Sequence, residues 1–391
     1  MRKQTLEPEL GYTSVGSRVT LRAYVECYAQ PLLNSKEDTV KTATTSHKRL
    51  PTRLGALVAI AGLSLGLSAC SSTENNANED TKTVTVLTTD SFTLSDELIT
   101  KFEKETGYEL VLSAPGDGAT ILNELILKKD TPDVDAVFGL SSYNFPTAVN
   151  EGVLEAYTSK DLPESAAPYD FDKHVTPIDV GAVCVNAEKK WFEENGREIP
   201  KTLDDLAASE NAKLLVIEDP VASDTGFAFL AALASAKEEE GAISYLNSML
   251  DGGTRVDASW SDAYYTDFSG ADGKGEYPLV LSYSSSPAES EGATTIIPST
   301  CTQYVEYAAV VKGAQNPEGA QAFIDFLLSD DVQATFPEVM YMYPVNSEIE
   351  LPEAWAKWAS LPESALPYEP EIVVAQSEHW LKAWTDLYEN R

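Results

Sequence analysis

TVTVLTTDSFTLSDELITKFEKETGYELVLSA (83–114) decides the fold class. Its first seven residues, 83–89, alternate and are rich in β-branched side chains, the pattern of a strand. From Ser95 to Glu105, Leu98, Ile99 and Phe102 recur at helical spacing, and Gly107 just beyond them is a stop signal. YELVLSA (108–114) reads as a second strand. Working outward, Thr120 to Lys129 reads as a second helix. VDAVFGL (134–140) is a nearly continuous apolar strand of the kind buried on both faces. This alternation predicts an α/β fold with a mostly parallel sheet.

The same pattern continues downstream. PIDVGAVCV (177–185), KLLVIEDP (213–220), 254–258, YPLVLSYSS (277–285) and VEYAAVVKG (305–313) read as strands. Helices are expected around 203–208, 226–237, 242–251, 260–268, 317–328, 330–335, 352–358 and 371–389, with no internal repeat. The chain has 391 residues, enough for two cores. Its 28 basic and 62 acidic residues give a net charge of -34, which argues against a nucleic-acid partner. Three histidines and four scattered cysteines argue against a His-rich or Cys-rich metal site, so no metal and no cofactor are expected.

LGALVAIAGLSLGLSA (54–69) carries no charge, follows Lys48, Arg49 and Arg53, and is followed at once by Cys70. It reads as the apolar part of a secretory signal peptide and is short for a membrane span. Leu67-Ser68-Ala69-Cys70 resembles a bacterial lipobox, which implies a lipid on Cys70 and a leader over 1–69, with 1–47 expected to lie upstream of the real translation start. Residues 70–83 read as a polar, flexible tether. Cys184 and Cys301 remain in the exported body, where they can pair or stay as two buried thiols. An exported, tethered body of two α/β lobes suggests a solute-binding protein with its ligand in the cleft.

Several further segments, in order, carry a resemblance to a known family. They are TVLTTDSF (85–92), GDGATILNELIL (116–127), TPIDVGAVCVN (176–186), EDPVASDTGFAFL (218–230), WSDAYY (260–265), LVLSYSSSPA (279–288) and the block from Tyr304 to Val345. Together they resemble the thiamine-binding periplasmic protein family, the ligand-capturing component of ABC thiamine importers. The resemblance implies a type II two-lobe periplasmic-binding-protein architecture, with 84–176 and 306–391 as lobe 1 and 177–305 as lobe 2. It implies a monomer that binds thiamine or a thiamine phosphate and delivers it to an ABC permease with a cytoplasmic ATPase. By lipobox and family together, the protein is exported and lipid-anchored at the outer face of the cell membrane or periplasmic.

Carried over residue by residue, the family's Asp-Gly pair beside the cationic ligand falls on Asp117 and Gly118. Its phosphate-side loop falls on Ser223, with Asp224, Thr225 and Gly226 around it, and its ring positions fall on Trp260, Tyr283 and Tyr341. Thr89 and Glu289 stand where the family's enteric form has stacking tyrosines, so the aromatic cage is thinner or rebuilt. The chemistry is coherent by itself. A thiazolium gains on the order of 0.5–2 kcal/mol over an aromatic face, and Asp117, Asp90 or Glu289 could add counter-charge. Asp117, Asp90 and Ser223 can equally cap helices, and each ring can equally be core. Asp224 would repel a phosphate, which favours unphosphorylated thiamine.

Two rivals are weighed. A ferric-ion or other cation carrier would use Tyr264 and Tyr265, but neighbouring residues on a helix point about 100° apart. A thiaminase-like enzyme would need an activated nucleophile, and no such grouping is evident, so a non-enzyme is expected.

Overall fold

β1 (Thr83–Thr89), β2 (Glu109–Gly116) and β3 (Ala136–Ser141) form a parallel trio with β1 in the middle. The computed structural model that shows this describes residues 82–270, 274–363 and 365–391. The leader, Cys70 and nearly all of the tether lie outside the described residues. α1 (Asp96–Thr106) follows β1 as the periodicity requires. The Ser95 hydroxyl accepts from the Leu98 N–H, Gly107 closes the helix at φ 79°, and Phe102 packs edge-on against Phe323 and Phe326. Asp90 does not cap this helix, because Ser95 already does and Asp90 lies in the exposed turn after β1.

Two long strands carry the chain across the sheet and back. They are β4 (Thr176–Glu188) and, far downstream, β8 (Thr302–Val311). Between them lie β5 (Leu215–Glu218), β6 (Arg255–Asp257) and β7 (Leu279–Tyr283). The order is β2-β1-β3-β8-β4-β7-β5-β6, with the short strands Leu154–Glu155, Thr294–Ile296 and Tyr343–Pro344 paired off this path. Each wing of the sheet is parallel, but β8 runs antiparallel to β3 and β4, and β4 antiparallel to β7. The expectation of a mostly parallel sheet therefore fails in the centre. A strand that leaves one wing and a strand that returns to it must run in opposite directions.

The register of β8 slips between Glu306 and Tyr307, opposite Asp179 and Pro177 of β4. A bulge there bends the crossover pair where it passes from wing to wing. Near the far end of this pair, Cys184 and Cys301 are joined by a disulfide and are fully buried with Ala182. α4 (Asp224–Asp251) joins the two helices read from the sequence into one run, broken at Glu238, whose φ is 58°. α5 (Pro317–Leu327) and the final helix α6 (Pro370–Glu389) complete the cover of the core. Among the described residues, no helix is long and apolar enough to cross a membrane.

Candidate functional site

Three elements end at one place. The first is α2 (Gly118–Leu127), which starts directly after β2. Asp117 sits at its N-cap, where its carboxylate accepts from the Thr120 N–H at 3.3 Å. The second is the start of α4, where Ser223 occupies the N-cap position. The Ser223 hydroxyl pairs with the Thr225 hydroxyl at 3.0 Å and makes no bond to a backbone N–H of the helix. The third is the polar turn after β3, which carries Asn144. The Asn144 amide donates to the Asp224 carboxylate at 2.8 Å, so the loop after β3 and the start of α4 are already in contact. Gly118 lies against the same carboxylate. A Cβ at Gly118 would stand 1.9 Å from Asp224 Oδ2 and 2.8 Å from Asn144 Nδ2. Asp224 thus fills the space in front of the α2 start.

That close approach gives a test. Gly118→Ala must push Asp224 away from Asn144 or part the two segments, at a cost on the order of 1 kcal/mol. Several-fold weaker ligand binding in calorimetry, with the fold retained, is the expected result. Unchanged binding would show that this contact is not needed.

The aromatic residues gather beside this point. Trp260 is the hub: its ring lies 5.7 Å from Tyr283 and 6.5 Å from Tyr341 by centroid, and it stacks on Tyr264 at 5.0 Å. Its indole N–H donates to the Ser282 hydroxyl at 2.9 Å, which fixes the ring plane. Tyr341 has φ 54°, a left-handed conformation that costs a non-glycine residue energy. Its carbonyl accepts from the Ser285 hydroxyl at 2.5 Å, and that bond holds the strained turn in place. The structure therefore brings Trp260, Tyr283 and Tyr341 together. It also brings Asp117, Gly118 and Asp224 together.

Glu289 and Asp90 are placed differently. Glu289 acts on the Tyr264 hydroxyl, the second ring of the Trp260 stack, and helps burial to raise its pKa. Asp90 is exposed but close enough to Asp117 that, with burial as the larger cause, it raises the Asp117 pKa. Thr89 is buried and bonds to Ser91, so no ring comes from that position. Tyr304 and Tyr143 extend the aromatic wall instead. Tyr304 lies 5.7 Å from Tyr283, and Tyr143 stacks on Tyr304 at 6.4 Å. Tyr264 is buried and Tyr265 exposed, with ring planes at 89°, so their two phenols do not converge.

The motifs do not single out the acids behind this wall. Glu218, Asp179 and Glu306 are all buried. Burial pushes Glu218 up to about 8 and Glu306 up to about 7. Burial, with Glu306 opposite, holds Asp179 well above the usual carboxylate range. Asp224 is likewise raised, first by burial and then by Asp117, while the Ser141 and Tyr304 hydroxyls offset part of the rise. The signal in the sequence was a single acid within each of three apolar strand segments, Asp179 in PIDVGAV, Glu218 in LLVIE and Glu306 in VEYAAVV. Among the described residues, no three His, Cys, Asp or Glu side chains are grouped as ligands for a metal ion.

Two sheet wings joined by paired crossover strands, with helix starts and aromatic rings meeting between them, define a type II solute-binding protein. Residues 131–362 match the family model described as bacterial extracellular solute-binding protein, and the chain belongs to that family. It is 28% identical over 292 residues to the thiamine-binding periplasmic protein of Escherichia coli (strain K12), covering 72% of this chain and 85% of the relative. A solved structure described as a periplasmic thiamin binding protein superposes with a TM-score of 0.66 at 26% identity, covering 78% of this chain and 96% of the other. The ferric binding protein from Campylobacter jejuni superposes with a TM-score of 0.64 at 18% identity, covering 78% and 99%, and shares the fold.

Proposed function

We propose that the protein captures thiamine outside the membrane, in its unphosphorylated form, and delivers it to an ABC permease driven by a cytoplasmic ATPase. The observation that carries this reading is the juxtaposition of the Trp260–Tyr283–Tyr341 wall with buried carboxyl groups, of which Asp179, Glu306 and Glu218 each keep at least one oxygen without a donor. A flat organic cation with an amino group suits both halves of that site. Thiamine's thiazolium and aminopyrimidine have those properties, and the resemblance to thiamine-binding proteins points the same way. In this reading 84–176 with 306–391 and 177–305 are the two lobes, and they close about the crossover strands. A lipid on Cys70 holds the body at the outer face of the membrane through the tether.

Asp224 supports the choice of form. Its carboxyl fills the space before the α2 start, where a phosphate would otherwise find free N–H groups. The test is calorimetry on the body from residue 82 onward with thiamine, thiamine monophosphate, thiamine diphosphate and ferric citrate. Thiamine is expected to bind in the submicromolar range and more tightly than either phosphate. Asp224→Ser should narrow that gap by about tenfold, the worth of one charge repulsion of ~1.4 kcal/mol. No heat with any thiamine form, or tight binding of ferric citrate, would overturn the reading.

A further inference from the structure

Glu306 of β8 stands opposite Asp179 of β4 in the sheet register, with Ser141 of β3 on its other side. Tyr304, two residues before Glu306, is on the same strand face and reaches toward Asp224. A row of acids therefore runs from the start of α4 across the crossover strands, from Asp224 through Glu306 to Asp179. Asp224 is held by the Asn144 amide and by the Ser141 and Tyr304 hydroxyls, but the acids beyond it are short of donors. Both Asp179 carboxylate oxygens, Glu306 Oε2, Glu218 Oε1 and the amide oxygen of Asn144 are buried without a hydrogen-bond partner. The Asn144 atom is the telling one. It belongs to a neutral side chain only 4% exposed, whose amide nitrogen is bound to Asp224. An acceptor left open at that point calls for a donor from outside the protein.

Unpaired buried carboxylates are costly when ionised, so in the empty site they are protonated or share protons. A cation entering beside them replaces the need for those protons. We infer that capture of the cationic ligand releases protons from the Asp224–Glu306–Asp179 row, and that Glu306 and Asp179 thereby select for positive charge. The inference rests on the thiamine reading and deepens it.

Asp117 faces the row from the α2 N-cap, Glu218 from the end of β5, and Tyr283 from β7; Tyr304 and Ser141 come from β8 and β3. The charges that act most strongly on Asp224 and Asp179 are carboxylates. The pKa values of the row are raised, so raising the pH through about 7 strips protons from the empty site. The ligand then competes with fewer protons, and its affinity rises with pH.

The test is calorimetry of the body with thiamine at pH 7 in PIPES and in Tris, whose ionisation enthalpies differ widely. The expected result is heat that depends on the buffer, with a slope of roughly half to one proton released per thiamine, and affinity that climbs several-fold from pH 6 to 8. Glu306→Gln should bind less tightly and lose most of both effects; Asp179→Asn tests the same row should the first variant fail to fold. Measurable binding with buffer-independent heat and a flat pH profile would overturn this inference and leave the thiamine reading standing. No thiamine heat in any buffer would overturn both.

Discussion

Replacing Trp260 with alanine should lower thiamine affinity at least tenfold, and roughly a hundredfold if its contributions add, while the ligand-free body keeps its fold. Trp260 is in contact with both Tyr283 and Tyr341, so its loss opens the wall at its middle. A cation over the indole face is worth ~0.5–2 kcal/mol, and covering the ligand's apolar ring adds about 1 kcal/mol. At about 1.4 kcal/mol per decade, these sum to between one and two decades. The fold should survive because Trp260 is only half-buried and stands at the edge of a small cluster of Val216, Ala263, Tyr264, Phe268 and Val280. Trp260→Phe separates two roles. It keeps a ring but loses the N–H bond to Ser282, so an intermediate affinity is expected. Calorimetry reads the affinity and circular dichroism the fold. Wild-type affinity in the alanine variant would remove Trp260 from the site.

Much of this architecture was legible in the chain. The β1–α1–β2–α2–β3 unit was readable because each strand is a short apolar run and each helix carries its stop or cap beside it, as Ser95 and Gly107 do. The direction of the two crossover strands was not readable, since periodicity reports burial and says nothing of which neighbour a strand will meet. The break at Glu238 was half visible. The charged run at 237–240 interrupted the apolar pattern and suggested two helices, whereas the chain bridges them with one residue at positive φ. Trp260, Tyr283 and Tyr341 were found through ordered motifs. The acid row needed the sheet register, because Asp179 and Glu306 are 127 positions apart and meet only when β4 and β8 pair. The aromatic wall shows the same limit. Thr89 supplies no ring, and Tyr304 and Tyr143 extend the wall from strands and turns that no local motif connects.

Removing the Cys184–Cys301 bridge should cause the largest loss of stability of any change considered. The bridge spans 117 positions and ties the end of β4 to the start of β8, the two segments on which the crossover depends. In the chain-entropy account, closing a loop of that length restricts the unfolded chain by about 5 kcal/mol. For a body of this size, that converts to roughly 8 °C in the midpoint of thermal unfolding. Cys184→Ala/Cys301→Ala should show the loss, and reduction of the unmodified protein should reproduce it without a change of side chain. The second arm matters because both sulfurs are fully buried, so the alanine pair also leaves a small void beside Ala182 and Ile296. A larger loss in the alanine pair than on reduction measures that void. Thiol titration of the denatured, unreduced body should detect neither Cys184 nor Cys301, and two reactive thiols would refute the bridge outright. If the thiols prove bonded but reduction leaves the midpoint unmoved, loop closure is not what the bridge contributes. Its effect would then be sought in lobe closure, by comparing thiamine affinity before and after reduction.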